Sequence, residues 1–184
     1  NDVSKNEISR LSAEECFEFL NGWVTEFGTD SDREHFKDRD YIVKILNLIL
    51  GVGGKKRRKD IERAEQGVRL IDYFFDDTFA PEYNYRFGKD IVNAVLDGFS
   101  KLYDEADDNS VWFGKVKQVA EDVGFASEMS VYKAEPEKFG GSVSDIAEIL
   151  RIAVTGKPNS PDLCSIMKIL GGARSVGRMK NGRI

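Results

Sequence analysis

Apolar residues recur along this chain at intervals of three and four, not two, and the runs stop on glycine. Phe17, Leu20, Val24 and Phe27 keep that spacing after Ser12, and Glu15 completes a capping box with it. The pattern predicts a helix over 13–27 stopped by Gly28. Ile42, Ile45, Leu46 and Ile49 predict a second, ended by Gly51 in "GVGG". Ile61, Ala64, Val68, Ile71 and Phe75 form a stripe on a third, which closes in "DYFFDD". Ile91, Val92, Val95, Leu96, Phe99, Leu102 and Tyr103 mark a fourth. In a fifth, Trp112, Val116, Val119, Ala120 and Val123 share one face between an N-cap at Ser110 and a stop at Gly124.

The stretch 125–141 keeps no sustained period and reads as a long ordered loop. Val143, Ile146, Ile149, Leu150, Ala153 and Val154 then repeat helically up to Gly156. After Gly-Lys-Pro-Asn, Ser160 reads as an N-cap with Pro161 at the first helical position and Asp162 near the positive end of the dipole. Leu163, Ile166, Met167 and Leu170 complete this seventh helix, and a short basic helix follows Gly171-Gly172. Period-2 alternation is missing and no repeat of domain-building length occurs, so the fold class is all-α. The acidic "DEADDNS" separates two expected lobes, residues 1–109 and 110–184.

Composition narrows the chemistry. With 41% hydrophobic and 32% charged residues in 184, the chain can bury a core and needs no membrane. Its longest apolar runs are too short for a bilayer and no signal segment opens it, which predicts a cytosolic protein. The start on Asn1 suggests a piece of a longer protein. Cys16 and Cys164 lack paired spacing and read as buried free thiols. His35 is the only histidine and sits among charges as a surface residue, so a multi-histidine metal site is excluded and a Ser-His-Asp triad would rest on it alone. "GVGGKK" follows a helix and lacks Ser or Thr after its lysine, so it reads as a helix stop and not a phosphate loop.

The net charge of -5 is unevenly spread. "KKRRK" at 55–59 is one basic run, and Lys168, Arg174, Arg178, Lys180 and Arg183 face a single acid from Pro161 onward. Such patches fit a polyanion or a solvated face. At the corner between the last two long helices, a helix start offers N–H groups, Lys157 and Arg151 offer charge and a planar face, and Leu163 offers an apolar one. Those are parts that hold unstacked single-stranded bases. Asp162 repels phosphate, so a base edge is expected there; ordinary capping accounts for the same residues.

Here the pattern meets a known one. "ILRIAVTGKPNSPDLCSIMKILGGARSVGRM" resembles the end of bacterial-type glutamyl-tRNA synthetases, with LR-x-A-[LV]-TG, [ST]-P-x-L and M-x-x-LG elements in order. "NEISRLSAEE", "RLIDYFFDD", "VWFGKVKQVAEDVGF" and "YKAEPEKFGGSVSDIAEILRIAVTG" are similar to segments of the same family, the later ones to clostridial-type members. The resemblance implies a two-lobed α-helical cage that binds the tRNA anticodon and follows a Rossmann-type catalytic domain. It places Arg151, Ser160, Pro161 and Leu163 on anticodon contacts, with Lys157 beside them. The slot that reads the last anticodon base falls near Asp60, with Arg58 and Lys59 adjacent. It implies tRNA(Glu), and possibly tRNA(Gln), as partner, a monomer, and ATP with magnesium for the parent ligase. This stretch itself lacks the two-histidine and KMSKS-like motifs of that chemistry and is expected to use no cofactor. Two alternatives stay open: the anticodon cage of a class I lysyl-tRNA synthetase, and a helical protein-interaction module.

Overall fold

Ser12 and Glu15 do form a reciprocal cap: the Ser12 hydroxyl accepts from Glu15 N at 3.1 Å and the Glu15 carboxylate accepts from Ser12 N at 2.8 Å. From there α2 runs Ala13–Phe27 and buries Cys16, Phe17, Leu20 and Val24. The computed structural model describes residues 5–54 and 56–184. Its first unit, through Ala80, contains α1 (Lys5–Ile8), α2, α3 (Asp30–His35), α4 (Arg39–Leu50) and α5 (Ala64–Leu70). α2 packs on α4 and α5, so the stripes of all three meet. Gly67 on α5 makes this approach possible, since a Cβ there would stand 2.7 Å from Leu20 Cδ2.

Two departures from the periodic reading occur in this unit. α3 is six residues long, too short to show a period, and is held by its caps: Thr29 N donates to Asp32 at 2.8 Å and Asp32 N to Thr29 at 3.1 Å. The expected third helix over 61–75 is α5 followed by a 3-10 turn, Asp72–Phe74. Tyr73 and Phe74, adjacent in sequence, are both buried there. A continuing α-helix would turn one of them out of a single apolar stripe, and the tighter turn re-aims both.

The second unit, from Pro81, holds α6 (Lys89–Leu102), α7 (Asn109–Asp122), α8 (Met129–Ala134), α9 (Val143–Thr155), α10 (Leu163–Leu170) and α11 (Gly172–Asn181). α6, α7 and α9 pack on one another, and α11 covers α6, α9 and α10. Phe99, Leu96, Val116, Ile146, Ile149, Leu150 and Met167 form the core, each fully or almost fully buried and worth roughly 1.5–3 kcal/mol per large side chain.

The division therefore falls at 80/81, whereas the acidic stretch had suggested 109/110. That stretch is a turn between two helices of one unit. Asp104 accepts from Ala106 N at 2.9 Å, Asp107 pairs with Lys115 at 2.5 Å, and Asp108 accepts from Val111 N at 2.9 Å. Asp108, not Ser110, is thus the N-cap of α7. The long connection 125–141 is pinned at its ends, with Ala126 N donating to Gly141 O at 2.9 Å and Val143 N to Ala126 O at 2.7 Å. Inside it, α8 buries no residue and so leaves no apolar stripe in the sequence. Among the described residues there is one isolated bridge and no strand, and the all-α reading holds. No described helix is long and apolar enough to cross a membrane.

Candidate nucleic-acid interface

α9 ends where its glycine stops it: Gly156 takes φ 72°, its N–H reaching Ile152 O at 2.8 Å. Thr155, buried at the last turn, binds the chain on both sides of this stop. Its hydroxyl donates to Arg151 O at 2.8 Å and accepts from Lys157 N at 3.2 Å. The corner is therefore a rigid, bonded turn. In the sequence Thr155 stands outside the apolar repeat and shows itself only as the threonine of the LR-x-A-[LV]-TG element.

Along this corner Arg151 lies half-buried, its Nε donating to Ser160 Oγ at 3.0 Å. Ser160 in turn donates to Pro161 O at 2.9 Å. Burial pulls the pKa of the Arg151 guanidinium below its ordinary value, against the carboxylates of Glu148 and Asp162, which raise it. The result is a partly desolvated planar cation held in one place, the form of arginine that stacks and bonds with least reordering. Lys157, Pro158 and Asn159 are exposed beside it.

Two expectations about this corner are corrected. The seventh helix begins at Leu163, not Pro161, and its N-cap is Asp162, whose Oδ2 accepts from Ser165 N at 2.8 Å and Ser165 Oγ at 2.6 Å. A carboxylate reaches the free N–H groups of the first turn as well as a serine does, and Ser160 is already spent on Arg151 and its own neighbour. Leu163, 2% exposed, and Pro161 are buried and present no open apolar face at this corner. Leu163 is the first core residue of α10, because a helix starting at 163 points its first stripe position inward.

The basic runs are largely spent internally. Of "KKRRK", Lys55 lies outside the described residues. Arg57 donates from Nε to Ser9 O at 2.9 Å and also binds Leu11 O. Arg58 pairs with Asp60 at 2.7 Å, with both side chains near 40% exposed, and Lys59 reaches Asn6 Oδ1 at 2.7 Å. Lys56 is exposed. Lys56 to Asp60 line a shallow cleft of about 480 Å³, so the three residues near the predicted last-base slot do come together. In the basic tail, Arg174 donates to Leu170 O at 2.8 Å and the buried Arg178 to Val154 O at 2.9 Å, each capping a helix C-terminus. Arg183 approaches Asp97 at 3.3 Å. These arginines read as a patch in sequence because spacing alone does not show which carbonyls they reach.

His35 is corrected too. Its side chain is 10% exposed, stacks on Phe75 at 3.8 Å and bonds through Nε2 to Asp77 at 2.7 Å. Ser31 touches that same Nε2 at 3.4 Å and Asp77 directly. A relay needs the serine and the carboxylate on opposite ring nitrogens, so this is a structural latch and not a triad. Cys16 and Cys164 are buried free thiols, and burial pushes the Cys16 thiol up to about 12. No cluster of three or more metal-ligating side chains occurs among the described residues.

A second hollow, about 610 Å³, opens between the starts of α7 and α10, with Asp162 in its lining. Trp112, Phe113 and Lys117 line it. The sequence pattern placed Trp112 in the core stripe of the fifth helix and left Phe113 outside that stripe.

Comparison with known proteins matches residues 18–183 to the family described as an anticodon binding domain. The chain is 35% identical over 173 residues to the glutamate–tRNA ligase of Acetivibrio thermocellus, covering 93% of itself and 31% of that protein. It is 30% identical over 177 residues to that of Clostridium perfringens, with 93% and 32% covered. To that of Sorangium cellulosum it is 31% identical over 181 residues, with 96% and 31% covered. The chain spans about a third of the length of these relatives. These relatives disfavour the lysyl and protein-module alternatives. With a helical fold throughout and a family match running over nearly its whole length, this chain belongs to the anticodon binding domain family.

Proposed function

We propose that this chain is the tRNA-reading part of a glutamate–tRNA ligase and that it holds unpaired anticodon bases of tRNA(Glu) at the corner 156–163. The observation that carries this is Arg151: a partly desolvated guanidinium fixed by Ser160, beside an exposed Lys157 and a turn locked by Thr155. Bases lie flat on the guanidinium while the exposed stretch Lys157 to Asn159 meets their edges. The Asp162 carboxylate, turned onto Ser165, disfavours phosphate at that point and leaves the base edge as the partner. Ser160 acts by holding Arg151. Pro161 and Leu163 act by fixing the turn from beneath, since both are buried.

In the first unit, Arg58 and Lys59 at the cleft with Asp60 are the groups to read the last anticodon base. Arg58 is shared with Asp60, which weakens its grip and fits acceptance of tRNA(Gln) beside tRNA(Glu). The parent enzyme, in the cytoplasm and as a monomer, would join glutamate to tRNA with ATP and magnesium in a catalytic domain of the same chain. This region uses no cofactor.

Filter binding of a tRNA(Glu) transcript to the wild-type chain and to Arg151→Ala, across a salt series, tests the proposal. A stacked base contributes roughly 1–3 kcal/mol, so Arg151→Ala should weaken binding about five-fold or more. Equal, salt-insensitive binding by both would sink it.

A further inference from the structure

Beyond the corner, we propose that the hollow between the starts of α7 and α10 is a second base-stacking subsite, built on Phe113, for an unpaired nucleobase next to those at Arg151. This rests on the RNA-binding reading above.

α7 buries Trp112, Val116, Val119 and Ala120 on one face. Phe113 follows Trp112, so it stands about 100° further round and faces out, 40% exposed, into the hollow. One turn on, Lys117 Nζ lies 5.3 Å from the Phe113 ring centroid. Lys117 thus sits over one face of the ring, and a base would stack on the ring beside this cation, the combination of aromatic and cation that single-strand binders use.

The next residue, Gly114, sits in the middle of α7, where glycine is less stable than alanine. Packing does not demand it: a Cβ there would meet nothing within 4 Å. Gly114 lines the hollow beside Phe113, so it adds no side chain to that space. Trp112, 6% exposed, lines the same hollow, and its indole N–H has no acceptor among the described residues. The wall of the hollow therefore includes a residue with an unspent donor.

Charge argues for a base and against a phosphate. Lys117 is paired with Glu128 at 2.5 Å and Lys115 with Asp107 at 2.5 Å, while Asp162 lines the hollow itself. No uncompensated cation remains among these to hold a backbone anion. A neutral base loses nothing there. Its face covers Phe113, and its amino or imino edge donates to the carboxylate of Asp162 or to the hydroxyl of Ser110, which also lines the hollow. Asp162 lines this hollow and directly follows Pro161 of the corner, so on this proposal a strand that holds bases at the corner sets a further unstacked base on Phe113.

The test uses this 184-residue chain and an anticodon stem-loop of tRNA(Glu) carrying 2-aminopurine at one loop position at a time, with Arg151→Ala, Phe113→Ala and Phe113→Tyr variants. Phe113→Ala should weaken binding about five-fold or more, the loss expected for one stacked base, with no change in salt slope. Phe113→Tyr should restore it. At saturating protein, one 2-aminopurine position should be quenched by the wild type and by Arg151→Ala but not by Phe113→Ala. Thermal melts of the two Phe113 variants should match the wild type, because Phe113 is outside the core. If the wild type binds, Arg151→Ala weakens it and Phe113→Ala does not, this subsite is overturned while the corner reading stands. If the wild type does not bind the stem-loop, both fall.

Discussion

Replacing Arg178 with methionine tests the contact that supports the corner. Arg178 is 5% exposed and its Nη1 donates to Val154 O at 2.9 Å. Val154 is in the last turn of α9, one of the four carbonyls a helix leaves without a partner. Methionine fills much of the same space and removes the donor. A hydrogen bond to a charged group is worth about 1.5–3 kcal/mol, and the carbonyl left behind is sealed from water. Against that, the wild type bears the cost of a desolvated guanidinium, which methionine relieves in part. The net expectation is a loss of about 2 kcal/mol, with Arg178→Lys, which keeps one charged donor, losing less. Urea unfolding followed by Trp112 fluorescence, with Trp23 changed to phenylalanine so that only the second unit reports, measures it. The difference should persist at high salt, since a buried contact is little screened. Amide exchange at Gly156 and Lys157 should quicken in the same variant, because the helix end has lost its cap. A loss under about 0.5 kcal/mol, the range of an ordinary surface substitution, would refute the assignment of Arg178 as the cap of α9.

Three further outcomes are expected. Asp32 is 1% exposed; burial alone would raise its pKa, but hydrogen bonds from Arg69 and Thr29 outweigh burial and hold it below the ordinary value. The wild type therefore keeps the stability from Asp32 above the ordinary carboxylate range and loses it as pH falls through the lowered value. In Arg69→Met the stranded carboxylate titrates above the ordinary range, so that variant, down by roughly 2–3 kcal/mol at neutral pH, should recover part of its deficit between pH 7 and 4. Asp32→Asn added to Arg69→Met should leave only the recovery due to Asp72, whose pKa burial raises even in the wild type; identical pH profiles for the single and double variants would refute this. Asp108→Ala should cost about 1 kcal/mol in a melt and Ser110→Ala almost nothing, the reverse of what the sequence alone suggests. Leu163→Ala should cost about 2–4 kcal/mol in urea unfolding, as a core cavity does, and any loss of RNA binding should be restored by conditions that refold it.

The helices that carry long apolar stripes were legible in the chain itself. α2, α4, α6 and α9 lie where the period puts them, and glycine ends α2, α4 and α9, because each signal is local: a helix is decided within a few residues. α3 and α8 were not, since six residues carry too few stripe positions to show a period. The two-unit division shifted from 109/110 to 80/81 because an acidic run looks like a linker until its carboxylates are seen capping α7 and pairing with Lys115. The turn between α9 and α10 was legible from Gly156 and the capping residues after it, but the competition for its caps was not. Ser160 and Asp162 are both sound N-caps, and only the position of the Arg151 guanidinium, nine residues away, decides that Ser160 is occupied and Asp162 takes the helix. Likewise a string of arginines states its charge but not its partners. Arg57, Arg174 and Arg178 turn inward to carbonyls, and Phe113 turns outward over a hollow, because burial is settled by what the rest of the chain packs against each side chain. Local periodicity and capping determined which residues are helical; long-range packing decided which of the charged and aromatic ones remain free to meet another molecule.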